Sequence, residues 1–576
     1  MKKWLPFLLL LATASLLLFL NLGQLGLTDP GEGSNAETAR EMLESGDWMT
    51  PTLNGEPLFT KPVFIYWLMS SAYRLFGISE FSARIPSAIG MAILTLLMYG
   101  FLTSFRGAFI GLVGSLMLLL NIEMVTIGRM ALTDSILILC TTASLFGFWT
   151  GLHGEGNQRH AFWIFYIGMA AGMLTKGPIG VVVPLLGTVP YVLMTHRWKQ
   201  FWQTGFPILG LFVFVLIACP WYATMLWIHG SSYITTTKAD TVERFFNIAD
   251  GHGGMIFFYL PVLFFGFFPW SGFLPAALSE AWKELRQTWR LGSMARDCKP
   301  LPQELELFAA LWLIGMFVFF TLFATRLPHY MGPLFPAAAI LAASYWSRCV
   351  KEPDTRGLYA SIWIILLLGF TLGLVFIASP LLYSAYIEPI TTAFPAARAV
   401  DPGIGPTTAG FVLIVGVGIV GYFGLAEHRR PGAFWAAATT IVVVILIAIV
   451  ITLPHVSKYF IDPPHELAYI AGVNLEPRDQ FIIYGPPKPS LLFYAKRRAV
   501  MMEPSEEGKM KPYLAGPGRT MVLLPSRLKS QLPQETAGFS PILERYGFVL
   551  LANEPMVKLP PKPMSQPTIP PNPHGL

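Results

Sequence analysis

Charge is scarce in this chain. Asp, Glu, Lys and Arg make up 13% of its 576 residues, against 53% hydrophobic residues and a mean hydropathy of +0.53. So few charges exclude an ordinary soluble globular protein and indicate a polytopic membrane protein. Cysteine is scarcer still. The four are dispersed, Cys140 and Cys219 in apolar runs and Cys298 and Cys349 in basic loops, which excludes a disulfide framework and any Cys-based metal spacing. There is no internal repeat and no glycine-rich phosphate loop. The net charge of +6 follows from the loop asymmetry described next, so no nucleic-acid partner is expected.

What the chain has in abundance is apolar runs of spanning length. They fall near residues 4–24, 84–104, 108–127, 132–152, 161–176, 178–194, 204–227, 255–279, 305–324, 332–347, 357–379, 408–425 and 433–453. They predict about thirteen transmembrane helices. The run 62–76 is too short to cross and is expected to be a surface or re-entrant helix. A cytoplasmic N-terminus gathers Lys2, Lys3, Arg106, Arg159, Arg197, Lys199, the Lys283–Lys299 loop, Arg348, Lys351, Arg356, Arg429 and Arg430 on one side. The first loop and the C-terminal region then face outward. The opening MKKWLPFLLLLATASLLLFL resembles a signal peptide but is expected to be an uncleaved first span, since no small-x-small site closes it.

From about His455 the composition becomes that of a soluble module. The short runs FIIYG, MVLLP and FVLLA alternate with helix-like segments and predict a small α/β domain over 455–552, followed by a Pro-rich, disordered tail over 553–576. The expected fold is thus an all-α polytopic membrane domain over 1–454 with a small outward α/β domain.

The charge that does occur is concentrated in the first loop, 27–80, which is the expected catalytic loop. Between Thr28 and Pro62 lie Asp29, Glu32, Glu37, Arg40, Glu41, Glu44, Asp47, Glu56 and Lys61. Ser34 to Ser45 predicts a short amphipathic helix on the membrane surface. Ser34 or Asn35 would cap it, Glu37 would complete a capping box, Gly46 would stop it, and Ala36, Ala39 and Leu43 would form its apolar stripe.

The run GEGSNAETAREMLESGDWMTPTLNGEPLFTKPVFIYWL, followed by FGISEFSARIPSA, resembles the first outward loop of the aminoarabinose transferase and protein mannosyltransferase superfamily, membrane glycosyltransferases of the GT-C fold. GRMALTDS, LTKGPIG, ERFF with YLPVLFFGFFPW, RLPHYMGPLFPAAA and SLLFYAKR extend the resemblance in order along most of the chain. The resemblance implies a transferase at the outer face of the bacterial inner membrane. Its donor would be a sugar on polyprenyl (undecaprenyl) phosphate, and its acceptor an exported lipid, glycan or protein, as in lipid A modification or protein glycosylation. A lipid-linked donor suits a site with no nucleotide-sugar supply. No cofactor is implied.

Glycosyl transfer needs a base for the acceptor hydroxyl and cations for the leaving phosphate. Where relatives carry an Asp-Glu pair, this chain reads Gly31-Glu32, with Asp29 two positions away, so Glu32 and then Asp29 are the candidate bases; both also suit turn chemistry. Asp134, in GRMALTDS, is a third candidate, able to pair with Arg129 or simply to favour a helix N-terminus. Lys61 and Arg244 are the first candidates for the donor phosphate, with Lys176, Arg326 and Tyr330 behind them and His329 nearby. Snorkelling is the alternative for each cation. Relatives often place an acid before Lys61 and a histidine before Glu243-Arg244, where this chain has Thr60 and Lys238-Ala239-Asp240; no bound metal is therefore expected. Ser34 stands where relatives carry an arginine, which unsettles the sugar. The aromatic run FFYLPVLFFGFFPW is either a groove for the isoprenoid or an ordinary span. The rival classes are a transporter or flippase for a lipid-linked saccharide, with its charges at the bilayer midplane, and an assembly protein indifferent to Glu32.

Overall fold

The computed structural model describes residues 4–154, 158–238, 255–291, 301–351, 356–387, 391, 397, 400–426, 429–514, 518–533 and 536–555. Arg244, the Glu243-Arg244 motif, Cys298 and the Pro-rich tail beyond Pro555 lie outside these residues.

Helices dominate, and their lengths follow the apolar runs. The first is α1 (Leu5–Phe19), then α2 (Gly31–Ser45), a hairpin of β1 (Thr52–Leu53) and β2 (Glu56–Pro57), α3 (Phe64–Phe76) and α4 (Glu80–Arg106). After these come α5 (Ala108–Leu119), α6 (Ile122–Arg129), α7 (Asp134–His153), α8 (Gln158–Lys176) and α9 (Ile179–Met194). Among the described residues seven helices are long and apolar enough to cross a membrane, or nine if two sharply bent pairs are single spans. One bent pair is α5 with α6, at 67°. The difference from thirteen has a local cause: several apolar runs fold into shorter helices, such as α1 with 15 residues and α9 with 16.

The loop helix α2 begins at Gly31, three residues before the predicted cap, and its first turn has no side-chain cap. Glu37 therefore lies inside the helix and forms no capping box. Its carboxylate instead takes Arg40 Nε and Nη2, both at 2.7 Å. Gly46 ends the helix as predicted, in the left-handed conformation at φ 74°. Ala36 and Ala39 are fully buried against α3, where Ser70 Oγ donates to Ala39 O and Tyr73 OH donates to Ala36 O. Ser79 opens α4 with a capping box to Ser82.

Helices α4 and α7 start at the same end of the bundle, the end that carries α2 and α3, and run away from it. Their far ends are closed by buried ion pairs, Arg106 with Glu306 at 2.9 Å and Arg197 with Glu304 at 2.8 Å, with His153 Nε2 3.1 Å from Glu304 Oε2.

Helical backbone continues from Arg430 to Asn474 through two π-helical segments, so the change of composition at His455 falls within one rod. Beyond it, FIIYG, MVLLP and FVLLA supply β3 (Gln480–Tyr484), β5 (Thr520–Pro525) and β7 (Phe548–Ala552), joined by β4 (Val500–Met502) and β6 (Ser540–Arg545). The sheet order is β4-β3-β5-β7-β6, parallel at β4-β3-β5 and antiparallel elsewhere. Alternation along β3 sends Phe481 and Ile483 into a core shared with Ala36, Tyr73 and Leu492, and Ile482 and Tyr484 into a second core with Met502 and Leu551. The sheet is thus packed onto the first loop by a common apolar core.

Candidate active site

The first loop is held by one buried ion pair. Glu32 is 0% exposed and Arg84, from the first turns of α4, 2%. Arg84 Nε and Nη2 donate to the two carboxylate oxygens at 2.8 and 2.9 Å. Ala131 N adds a bond to Oε1 at 2.7 Å, and Thr28 N and Oγ1 add bonds to Oε2 at 3.0 and 2.8 Å. The rest of the guanidinium donates to the carbonyls of Leu22, Leu25 and Gly26. Burial pushes the Glu32 carboxyl up, but the charge and hydrogen bonds of Arg84, with the Ala131 and Thr28 donors, more than offset this and hold it below the usual glutamate value. A carboxylate with all its lone-pair directions filled has no access to an acceptor hydroxyl. Glu32, expected as the first candidate base, is placed as a clasp between the loop, α4 and the segment before α7.

The clasp leads to the candidate site. Asn35 Nδ2 donates to Ala131 O at 2.8 Å, and Lys61 Nζ donates to Asn35 Oδ1 at 2.9 Å. Three residues beyond Ala131, Asp134 opens α7, and Lys176 Nζ, at the end of α8, meets its Oδ1 at 2.7 Å. The same ammonium lies 4.8 Å from the ring centre of Tyr330, and the charges of His329 and Lys61 also act on Asp134. Tyr330 and His329 lie on the 3-10 segment Pro328–Leu334. Arg326, just before it, donates to Thr321 O and shares the electrostatic surroundings of Tyr259 with Tyr330. Lys61, Lys176, Asp134 and Tyr330 therefore converge at the α2 end of the bundle.

One expectation is corrected. Arg129 does not pair with Asp134; it donates to Leu17 O and Leu20 O at 2.7 and 2.8 Å, capping the carbonyl end of α1. Asp29 bonds instead to Ser490. Its Oδ1 accepts from Ser490 N at 2.8 Å and its Oδ2 from Ser490 Oγ, which His465 Nε2 contacts at 2.9 Å. Burial pushes the Asp29 carboxyl up, against the pull of Ser490 and Lys488. Asp29 thus ties the first loop to the sheet region. Among the described residues no three His, Cys, Asp or Glu side chains gather as a metal site.

Reading the sequence missed Glu123. It lies in the first turn of α6, which Asn121 caps by accepting from Met124 N at 2.9 Å. Half-buried, it has no hydrogen bond or ion pair among the described residues, and it repels Asp134 electrostatically. A side chain on Gly266, in YLPVLFFG, would come within 3.5 Å of its Cβ. The signal was available: NIEMV carries one charge in a long apolar run, and such a charge suggests function.

Residues 4–234 match the family described as dolichyl-phosphate-mannose-protein mannosyltransferase. The undecaprenyl phosphate-alpha-4-amino-4-deoxy-L-arabinose arabinosyl transferase of Yersinia pestis (strain Pestoides F) is 28% identical over 429 residues, covering 74% of this chain and 72% of that protein. Among solved structures, ArnT from Cupriavidus metallidurans bound to undecaprenyl phosphate superposes with a TM-score of 0.77 at 21% identity, over 95% of this chain and 98% of that one. Its apo form gives 0.76. The helical bundle and the sheet region therefore share one fold with ArnT.

Proposed function

We propose, from the premise that this chain belongs to the aminoarabinose transferase and protein mannosyltransferase superfamily of GT-C membrane glycosyltransferases, that it moves a sugar from undecaprenyl phosphate to an exported glycolipid. The observation that carries the reading is the convergence of Lys61 and Lys176 on Asp134 at one end of apolar helices. A lipid phosphate presents its charge at that level of a bilayer, and the ArnT structure named for bound undecaprenyl phosphate supports the donor. The gathering of these charges at one end of the bundle favours an enzyme over a flippase.

In this reading Lys61 and Lys176 bind the donor phosphate, with Arg326 and Tyr330 completing its surroundings among the described residues. Asp134 holds Lys176 in place and tempers its charge, so that the ammonium is drawn further toward the phosphate as negative charge grows on the leaving oxygen. Glu123, unpartnered and adjacent, takes the proton of the acceptor hydroxyl as that oxygen attacks the anomeric carbon. The C–O bond to the phosphate breaks on the opposite face, and the configuration inverts. Glu32 and Asp29 hold the loop that carries Lys61.

The far end, with Arg106, Arg197 and Arg348, faces the cytoplasm in this reading, as does the N-terminus. The site and residues 480–552 face the periplasm, and the two shorter apolar helices, Leu5–Phe19 and Ile179–Met194, raise the candidate crossings among the described residues to as many as eleven of the thirteen expected.

The test offers purified protein in lipid nanodiscs a panel of undecaprenyl-phosphate-linked sugars with a membrane lipid extract. Release of undecaprenyl phosphate from one donor, with its labelled sugar appearing on a glycolipid, is expected. Folded protein that releases none from any donor contradicts the reading.

A further inference from the structure

A cavity of about 660 Å³ opens in the sheet region, lined by residues between Tyr469 and Val500 with Asn54 of the first loop, and with neither Lys61 nor Lys176 in its lining. Its size is that of a small-molecule pocket. The β1–β2 hairpin contributes Asn54. Asn54 and Gly55 at its tip both have positive φ, 57° and 80°, as a two-residue type I′ turn requires. The Asn54 side chain then pairs with the backbone of Ala499 in both directions, at 2.8 and 3.0 Å. Gly55 lies flat on the Arg498 guanidinium, leaving no room for a Cβ.

The lining also includes the run Lys496-Arg497-Arg498, which follows the helix Ser490–Ala495. Lys496 and Arg498 are exposed and have no polar partner among the described residues. Arg497 is half-buried; its Nη2 donates to the carbonyls of Glu476 and Asp479 at 3.1 and 2.8 Å, while its Nε is buried with no partner. Lys496 has left-handed backbone, φ 52° and ψ 36°. A glycine would adopt that turn without the ~1 kcal/mol penalty of a side chain, yet the position carries an ammonium. The one carboxylate in the lining, Asp479, is engaged by the amides of Glu476 and Arg519 at 2.7 and 3.1 Å. Three cations and one engaged carboxylate thus line the cavity.

The cavity is also tied to the helical bundle. Tyr494, in its lining, donates to Glu80 at 2.9 Å and accepts from Leu27 N at 3.0 Å. Glu80 begins α4, one of the helices long enough to cross a membrane. Tyr494 therefore ties the cavity's lining to the start of a helix long enough to span a membrane. The hairpin is tied to α2 through Glu41, which accepts from Thr52 Oγ1 and Gly55 N at 2.7 and 3.1 Å.

We propose that this cavity binds the phosphorylated saccharide headgroup of the acceptor lipid, with Lys496, Arg497 and Arg498 as its phosphate ligands. The inference rests on the transferase reading above and adds where the acceptor is recognised and by what chemistry.

The test uses the full-length protein in nanodiscs, a bisphosphorylated glucosamine-disaccharide glycolipid, its dephosphorylated form, and the variant Lys496→Gln/Arg498→Gln. Both side chains are exposed and make no internal bonds, so the variant is expected to fold. Binding of the labelled glycolipid, measured without donor, is expected to weaken at least tenfold in the variant and to keep only the smaller salt dependence owed to Arg497. Wild type should bind the dephosphorylated form as weakly as the variant does. In turnover the acceptor KM should rise by the same factor with donor KM unchanged. Equal binding by variant and wild type, or equal binding of the two glycolipids, overturns the pocket whether or not the enzyme turns over. Failure of wild type to release undecaprenyl phosphate, with binding as expected, would instead overturn the transferase reading. Arg497→Gln is left out because Arg497 also braces two carbonyls.

Discussion

Glu32→Gln separates a structural clasp from a catalytic base. The substitution keeps the shape of the side chain but removes its charge, leaving the guanidinium of Arg84 buried at 2% exposure with no countercharge in the clasp, only one amide oxygen of the new side chain and the carbonyls of Leu22, Leu25 and Gly26 as acceptors. The amide also turns a donor toward either Ala131 N and Arg84 Nε or Thr28 and Arg84 Nη2, all of which are donors. Breaking a buried pair by removing one partner costs about 3–5 kcal/mol. Set against a typical stability of ~5–15 kcal/mol, that loss would lower yield in membranes and shift the unfolding midpoint in detergent. The assay is denaturant unfolding of detergent-purified protein, followed by turnover per folded molecule. Glu32→Gln is expected to be strongly destabilised, and the double variant Glu32→Gln/Arg84→Gln to be less destabilised than the two single changes summed, by ~2 kcal/mol or more. A Glu32→Gln protein with wild-type stability and no turnover would refute the clasp and restore Glu32 as the base.

Three further outcomes follow from the same geometry. Because the folded Glu32 carboxyl is held below its unfolded value, its stabilisation is complete above about pH 4.5, the ordinary glutamate value, and is lost as pH falls through the folded value; in Glu32→Gln this acid-side loss should be absent from the unfolding curve. Glu123→Gln is expected to lower kcat by ~10²–10⁴-fold and to flatten the acid limb of the pH–rate profile, since the base must be deprotonated to act; an unchanged profile excludes it. Gly33→Ala would drive a methyl group into Asp29 Oδ1 and the Ser490 backbone, where α2 meets the sheet region, and is expected to cost about 1–3 kcal/mol in thermal unfolding.

The parts of the fold that depend on local pattern were legible. Gly46 ended α2 where predicted, the apolar stripe of Ala36 and Ala39 was buried, and FIIYG, MVLLP and FVLLA became strands. Long-range pairing was not legible in the same way. Glu32 read as a loop carboxylate because Arg84, 52 residues away in FSARIPSA, carries no local sign of its partner. Glu37 read as a capping acid because the helix start was placed at Ser34; a start at Gly31 moves it into the helix interior beside Arg40. Arg129 and Asp134 are neighbours in GRMALTDS, yet the arginine faces the end of α1 and the aspartate takes the lysine of LTKGPIG. Asp29 was divided from Glu32 by Ser490, a residue in a different part of the chain. Lys61 and Lys176 were accessible to reasoning because a cation in a membrane protein is costly unless something anionic answers it.

The central claim is that Lys61 and Lys176, set by Asn35 and Asp134, bind the donor phosphate. The most direct measurement is the affinity of wild type, Lys61→Met and the charge-keeping Lys61→Arg for undecaprenyl phosphate in nanodiscs, at fixed salt. Loss of one charge-assisted hydrogen bond is worth about 1.5–3 kcal/mol, so Lys61→Met is expected to bind roughly 10–100-fold more weakly, with Lys61→Arg recovering part of the loss. Equal affinity in wild type and folded Lys61→Met would place the donor phosphate elsewhere and contradict the account.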